Sequence, residues 1–352
     1  MAIDKSIITP TEASETVQAG FDFVKGILPF SNVFPMQSND GLWTVTWTPN
    51  VQNEAVNPMR RRALDAEIGH VSHSTASREM HTGLLPLSGM DHITERDMSM
   101  HATDKTWLRN AAEEGFERLG RMAAVTLEIE SINAFVSGKI VINENGIDNT
   151  YSFCRPTKQQ SQSPAAKWNV ATADITADID GWNQTIRKNG GRVCHAAFTT
   201  SAVIDALRTN DLIRAYTYQT SAELAPPRVT REQVFAYLES NCGLTDVRMV
   251  DVMYEDLELD NGFKMNTDLS ALIPDKTFVM LPSFNDPTLG FTADGPTAEG
   301  ADPAYELNKT VNQGMVGALL SHEAPANYDM WVNGSALPVL VDAVSTFEAD
   351  VL

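Results

Sequence analysis

The sequence predicts an α+β fold, and three observations carry that prediction. Residues 104–138 hold one long helical stripe of apolar side chains. A strand–turn–strand signal, "GKIVINENGIDNTYSF", follows it directly. Short helices and short strands are then mixed to the end of the chain.

Taken in order, the first forty or so residues show no sustained period. They mix Phe21, Phe23, Val24, Ile27 and Leu28 with Pro29, Pro35 and polar residues, which predicts an extended arm with one short helix. "LWTVTWT", residues 42–48, alternates large and small and predicts a strand. Residues 50–102 are poor in apolar side chains and keep no period. A structureless stretch of this length inside a compact domain is uncommon and usually functional. It carries Arg60, Arg61, Arg62, Arg78 and Arg96, which suits pairing with an acidic surface of another copy of the chain.

The long helix is the clearest element. Asp104 is its expected N-cap. Leu108, Ala112, Phe116, Leu119, Met122, Val125, Ile129, Ile132 and Val136 then recur every three or four positions, giving one stripe roughly 45 Å long at 1.5 Å per residue. The expected polar face carries Lys105, Arg109, Glu113, Glu114, Glu117, Arg118 and Glu128, and Gly138 is the expected stop. Asn145-Gly146 marks the hairpin turn. After a polar loop at 158–167, "ITADIDGWNQTIRKNGG" predicts a helix and "RVCHAAFT" a strand. "SAVIDALRTNDLIRAYTY" predicts one helix capped by Ser201, and "TREQVFAYLESNCGL" another with a Thr230–Gln233 capping box. "DVRMVDVMYEDLELDNGFKMN" predicts strand, turn, strand, and the chain ends rich in strands.

The 352 residues suffice for two domains or one elaborated one, and 43% apolar content allows a sizeable core. No run reaches the ~20 apolar residues of a membrane span. The start lacks a signal-peptide pattern, so the expectation is action in the compartment of synthesis. Cys154, Cys194 and Cys242 are few, distant and odd in number, which disfavours a disulfide framework. Net charge is −20, and residues 245–352, with 18 acidic and 4 basic side chains, carry −14 of it. Such a surface repels polyanions, which opposes direct nucleic-acid binding while permitting enclosure of nucleic acid.

The residues 276–300, "KTFVMLPSFNDPTLGFTADGPTAEG", run from a strand into a glycine-bearing loop, a pattern that can hold phosphate. No Lys or Arg lies between Thr277 and Glu306, and no P-loop or Gly-x-Gly-x-x-Gly pattern occurs, so the phosphate reading fails on charge. Five of the seven histidines are His70, His73, His81, His92 and His101. His70-x-x-His73, near Asp91 and Glu95, has a metal-like spacing, and a metal-dependent hydrolase built on this loop is the rival reading; a polar exposed loop is the preferred one. A calcium loop with Gly262 at its sixth position would start at Leu257, and one on Gly181 at Thr176, so both fail. No Gly-x-Ser-x-Gly elbow occurs. Cys194 and His195 are neighbours on a predicted strand and point to opposite faces; Cys194 is expected to be buried as a small apolar residue. Glu113-Glu114 and Glu255-Asp256 are expected on solvated surface. No catalytic, cofactor-binding or metal residue is assigned.

The second half resembles the lambda-type major capsid proteins of tailed bacteriophages. The resemblance rests, in order, on "DIDGWNQTIRKNGG", "VCHAAFTTSAVIDALRTNDLIRAY", "MYEDLELDNGF", "ALIPDKTFVMLPS", the Gly290 and Gly295-Pro-Thr-Ala-Glu299 loop, and "SALPVLVDAVSTFEADVL". It covers roughly residues 100–352. It implies a Hong Kong 97-type capsid fold: an N-terminal arm at 1–48, an extended loop at 49–102, a peripheral domain with a spine helix at 103–165, and an axial domain at 166–300. Residues 301–335 would return to the peripheral domain and 336–352 would complete the axial one. "GFTADGPTAEG" would connect the two and hold no ligand. It further implies hexamers and pentamers closing an icosahedral phage head around packaged DNA, with no enzymatic activity and no cofactor. The implied partners are a separate scaffolding protein, a portal and, optionally, a decoration protein; assembly would occur in the host cytoplasm. Arg60, Arg61, Arg62, Arg78 and Arg96 would be inter-subunit contacts. Encapsulin compartments share this fold and are the alternative within it.

Overall fold

The computed structural model describes residues 2–49, 79–101, 104–265, 267–307, 314–323 and 326–352. Its helices are α1 (Pro10–Ile27), α2 (Glu95–Met100), α3 (Lys105–Ser137), α4 (Ile175–Lys188), α5 (Ser201–Leu207), α6 (Asp211–Tyr218), α7 (Arg231–Cys242), α8 (Val250–Asn261) and α9 (Ala298–Ala301). Its strands are β1 (Ala2–Ile3), β2 (Met36–Ser38), β3 (Thr44–Trp47), β4 (Met80–Gly83), β5 (Pro86–Ile93), β6 (Lys139–Glu144) and β7 (Ile147–Ser152). They continue with β8 (Ala196–Thr199), β9 (Asp246–Met249), β10 (Thr277–Leu281), β11 (Gly290–Asp294), β12 (Val316–Glu323), β13 (Ala326–Leu340) and β14 (Phe347–Asp350).

A six-stranded sheet is built around β13, which pairs antiparallel with β12, β5 and β11; β1 extends it beyond β12 and β2 beyond β11. Where the β5 register ends at Ser335, that of β11 begins at Ala336. The helix α3 lies across this sheet. It comes so near that a Cβ on Gly115 would fall 2.1 Å from the Met330 sulfur. The helix α1 packs on α3 through two glycines. A Cβ on Gly20 would sit 2.3 Å from the Glu117 carbonyl oxygen, and one on Gly120 would sit 2.1 Å from that of Val17.

The expected N-terminal arm is therefore different in kind. Residues 10–27 form an 18-residue helix whose Ala13, Val17, Phe21 and Val24 are buried in the chain's own core. The reason was present in the sequence: Thr9-Pro10-Thr11-Glu12 is a capping box with proline at the first helical position. Residues 79–101, expected as loop, hold β4, β5 and α2. In β5 alternate residues are half-buried, a period-two pattern that Gly89 and Asp91 hide from a hydrophobicity reading.

The spine helix is as expected in cap and stop: Asp104 accepts from the Thr106 and Trp107 amides, and Gly138 ends it at φ 68°. Its faces are rotated from the expected ones. Met122 is 59% exposed, whereas Glu128 is fully buried. The hairpin β6–β7 turns at Asn145-Gly146, both with positive φ.

A four-stranded sheet, β14–β10–β8–β9, forms the second unit. Both of its faces are covered. Phe278 and Met280 enter a core with Trp168, Ile179, Trp182 and Phe347, while Val279 and Leu281 enter the larger core with Phe198 and Phe284. A strand buried on two sides reads as a continuous apolar run, which is why "TFVML" was legible. Trp168 and Trp182 stack at 5.6 Å, and Trp182 and Phe347 at 5.2 Å.

Two local expectations differ from the structure. Residues 250–261 are helix, not strand and turn. Val250, Tyr254 and Leu257 fall on one buried helical face, and Gly262 at φ 65° closes the helix instead of turning a hairpin. The expected single helix at 201–218 is two, because Asn210 caps α6 by accepting from the Leu212 and Ile213 amides. Ser201 is not its cap; Thr200 is, and the Ser201 amide donates to Asp251. The stretch 276–300 leaves the four-stranded sheet at Leu281 and enters the six-stranded sheet at Gly290. The connection is thus 282–289, and Gly290–Asp294 is strand rather than loop.

Candidate functional site

The residues first considered for chemistry do not converge. Among the described residues no group of three or more His, Cys, Asp or Glu is placed to hold a metal ion. His70 and His73 lie outside the described residues. His81 faces Thr46 across β3–β4 at 3.0 Å, and His101 stacks on Trp107 at 4.0 Å. Cys194 is buried, its thiol donates to the Ser345 carbonyl, and burial pushes its pKa far up, so it is no nucleophile. His195 is exposed and turned to the Gly243 carbonyl at 3.0 Å.

What the fold does assemble is a set of buried charged joints. Glu128 accepts from the Phe30 amide at 3.0 Å, the Ser31 amide at 2.6 Å and the Tyr254 hydroxyl at 2.5 Å. Burial pushes its carboxyl up, against the pull of those donors. Beside it, Lys25 donates to the Ser31 and Phe34 carbonyls at 2.9 and 2.8 Å, and burial lowers its pKa. One carboxylate thereby ties α3, the turn after α1, and α8.

Arg155 does the same at the C-terminal end of α3. It donates to the Ala134, Phe135 and Val136 carbonyls, which are the open end of the helix, and to the Thr346 hydroxyl of the β13–β14 connection. Burial lowers its pKa to about 10. Arg192 joins Asp342 at 2.8 Å and also Asp286. Both Asp342 and Asp286 lie on the connections between the two sheets. On the six-stranded sheet Asp329 takes His92 Nδ1 at 2.5 Å and His322 Nε2 at 2.7 Å, fastening β5, β13 and β12. Burial pushes the Asp329 carboxyl up, but the two imidazoles outweigh it and hold it below the usual range. These joints were invisible to spacing rules, because most of their partners are tens to hundreds of residues apart. The one signal was a glutamate, Glu128, between the buried Leu127 and Ile132.

These joints tie distant elements together; a second group of residues is on the surface. Exposed large apolar side chains gather at Leu42 and Trp43 beside the β3–β4 pair, at Phe23 and Met122 on the α1–α3 pair, and at Leu212, Tyr216, Tyr218 and Leu224 around α6. Of the five expected contact arginines, Arg60, Arg61, Arg62 and Arg78 lie outside the described residues. Arg96 is exposed in α2, with no carboxylate at ion-pair distance among the described residues.

The sequence matches the family described as Phage major capsid protein E over residues 47–351. Among the solved structures that share the fold are three with TM-scores above 0.5. One is the putative capsid protein of a prophage of E. coli CFT073, at TM-score 0.57 and 12% identity, covering 97% of this chain and 99% of that one. Another is the capsid of Myoviridae phage XM1, at TM-score 0.54 and 9% identity, covering 93% and 92%. The third is a phage-related protein from Bordetella bronchiseptica RB50, at TM-score 0.51 and 10% identity, covering 99% and 97%. No curated protein matches. At such identities the structures establish the fold, and the match over most of the chain establishes membership. The chain belongs to the phage major capsid protein E family, as a structural protein of the virion capsid with the Hong Kong 97-type fold.

Proposed function

We propose that this chain builds an icosahedral phage head through hexamers and pentamers, and that the closed shell encloses packaged DNA. The observation that carries this reading is the family match over 47–351, on a fold that spans the whole chain. The work is contact energy between subunits, summed over many copies; no catalysis and no cofactor enter. In this reading residues 1–48 are the arm, 49–102 the extended loop, and 103–165 with 301–335 the peripheral domain. Residues 166–300 with 336–352 are the axial domain. Because α1 is packed on its own α3, the arm's reach to a neighbour falls to the residues around it. A separate scaffolding protein, a portal and, optionally, a decoration protein complete the assembly, which takes place in the host cytoplasm.

Arg60, Arg61, Arg62, Arg78 and Arg96 are proposed as inter-subunit contacts. Their complement is available in α8, where Glu255, Asp256 and Asp260 are exposed and the helix holds no basic residue. Negative-stain microscopy with sedimentation on the purified chain, with and without the phage's scaffolding protein, tests the reading. Rings or shells are expected; a stable monomer or dimer under both conditions overturns it. Replacing Arg60, Arg61 and Arg62 together by Glu is expected to raise the concentration needed for assembly about tenfold or more.

A further inference from the structure

Four of the exposed large apolar side chains fall within residues 212–224: Leu212, Tyr216, Tyr218 and Leu224. Leu224 is 80% exposed, yet it stands on a fixed turn. The Arg214 guanidinium donates to the Ala222 carbonyl at 2.7 Å, the Ala225 carbonyl at 3.0 Å and the Pro226 carbonyl at 2.7 Å. Ala225, the next residue, is buried. An apolar knob is thus held out into solvent on a rigid base, so that seating it costs little ordering entropy. Beside it runs a groove of about 470 Å³ between α6 and α7, lined by Ala215, Tyr216, Thr217, Gln219, Gln233 and Ala236. Ala215, Ala236 and the Tyr216 ring give this recess an apolar part that an aliphatic side chain can contact, beside the polar Thr217, Gln219 and Gln233, and Tyr216 is braced edge-on against Tyr237 at 5.3 Å. Glu223 precedes the knob and Arg228 follows it; both are exposed and neither has an ion-pair partner among the described residues.

We propose that the occupant of the groove is a second copy of this chain: Leu224 of one subunit seats between α6 and α7 of the next, with Glu223 of one facing Arg228 of the other. This rests on the shell-forming function proposed above and names a contact within it. A convex feature and a concave one on the same chain, with complementary charges, form a head-to-tail contact. Such contacts close into rings where the rotation between subunits closes, as the capsomers proposed above require. Each is small, and the ring adds them.

The test is a Leu224→Cys, Ala236→Cys pair in a Cys154→Ser background, oxidised after assembly and run on a non-reducing gel, with microscopy of the same sample. A ladder extending to five and six subunits is expected. Covalent dimers that go no further would mean a two-fold contact and overturn the head-to-tail proposal. Shells with no cross-link overturn the contact while leaving the capsid function standing. Failure to form any shell removes that function, and this proposal with it. As a second variant, Leu224→Asp is expected to keep the wild-type melting temperature, because the side chain is exposed, while weakening assembly about tenfold; Leu224→Met should restore it. Assembly of Leu224→Asp at the wild-type concentration would also overturn the proposal.

Discussion

The four-stranded and six-stranded sheets bury their strands by opposite routes. In the four-stranded sheet, β10 is sandwiched between two apolar cores, and all five of its residues are buried. In the six-stranded sheet, β5 has one covered face, and what fastens it to its neighbours includes Asp329 between two histidines. The first unit is stabilised by apolar packing on both faces of its sheet. The second is assembled from pieces at 2–3, 36–38, 86–93, 290–294 and 316–340 and is held by helices and charged joints. A subunit built this way has one compact block and one spread, jointed platform.

The comparison breaks most readily in the compact block. Trp182→Ala removes a ring stacked on both Trp168 and Phe347, and should cost ~3–5 kcal/mol in denaturant unfolding. The matching truncation on the platform, Trp331→Ala, should cost less than half of that, because Trp331 is only half-buried with Tyr305 at 6.3 Å. Equal losses would mean the two sheets are not packed differently.

Next in size is the joint at Glu128. Glu128→Ala leaves two buried amides and a tyrosine hydroxyl without their acceptor and takes a neighbouring negative charge from Lys25, and should cost ~3 kcal/mol. Glu128→Gln keeps an acceptor and should lose ~1–2 kcal/mol. Parallel chemical-denaturation curves of the two variants check the order; equal losses would mean that the charge rather than the acceptor mattered.

A pH dependence follows from Glu130. Its Oε2 is buried with no hydrogen-bond partner among the described residues, and burial, with Glu144 nearby, raises its pKa from 4.5 to about 8. The folded chain then holds a proton that the unfolded chain gives up, so this group's contribution to stability falls as pH rises from about 4.5 to about 8. The fall is on the order of 1.4 kcal/mol per pH unit at most. Glu130→Gln should flatten the melting-temperature profile across that window; an unchanged slope would assign it to other groups. Smallest is Thr230→Ala, which removes the capping box of α7 and should cost ~1 kcal/mol by thermal melt.

Legibility in the sequence follows the same division. The spine helix, the Asn145-Gly146 hairpin, the Thr230 cap and the "TFVML" strand were readable because each is fixed by residues a few positions apart. The helix α8 was misread because Asp-Asn-Gly serves a helix end as well as a hairpin turn. The helix α1 was underread although its capping box was present, because Gly20 and Gly26 weaken its apolar stripe. The six-stranded sheet and the joints at Glu128, Arg155 and Asp329 could not be read, since their partners meet only in the fold. The exposed groove and knob around α6 were equally hidden, because exposure is not written in residue type.

The most direct test of the whole account is a cryo-electron microscopy reconstruction of assembled particles at a resolution that separates the two sheets. The account predicts closed shells in which the four-stranded units ring each capsomer centre and the six-stranded platforms meet between capsomers. Shells with the platforms at the ring centres, or particles without five- and six-fold capsomers, would contradict it.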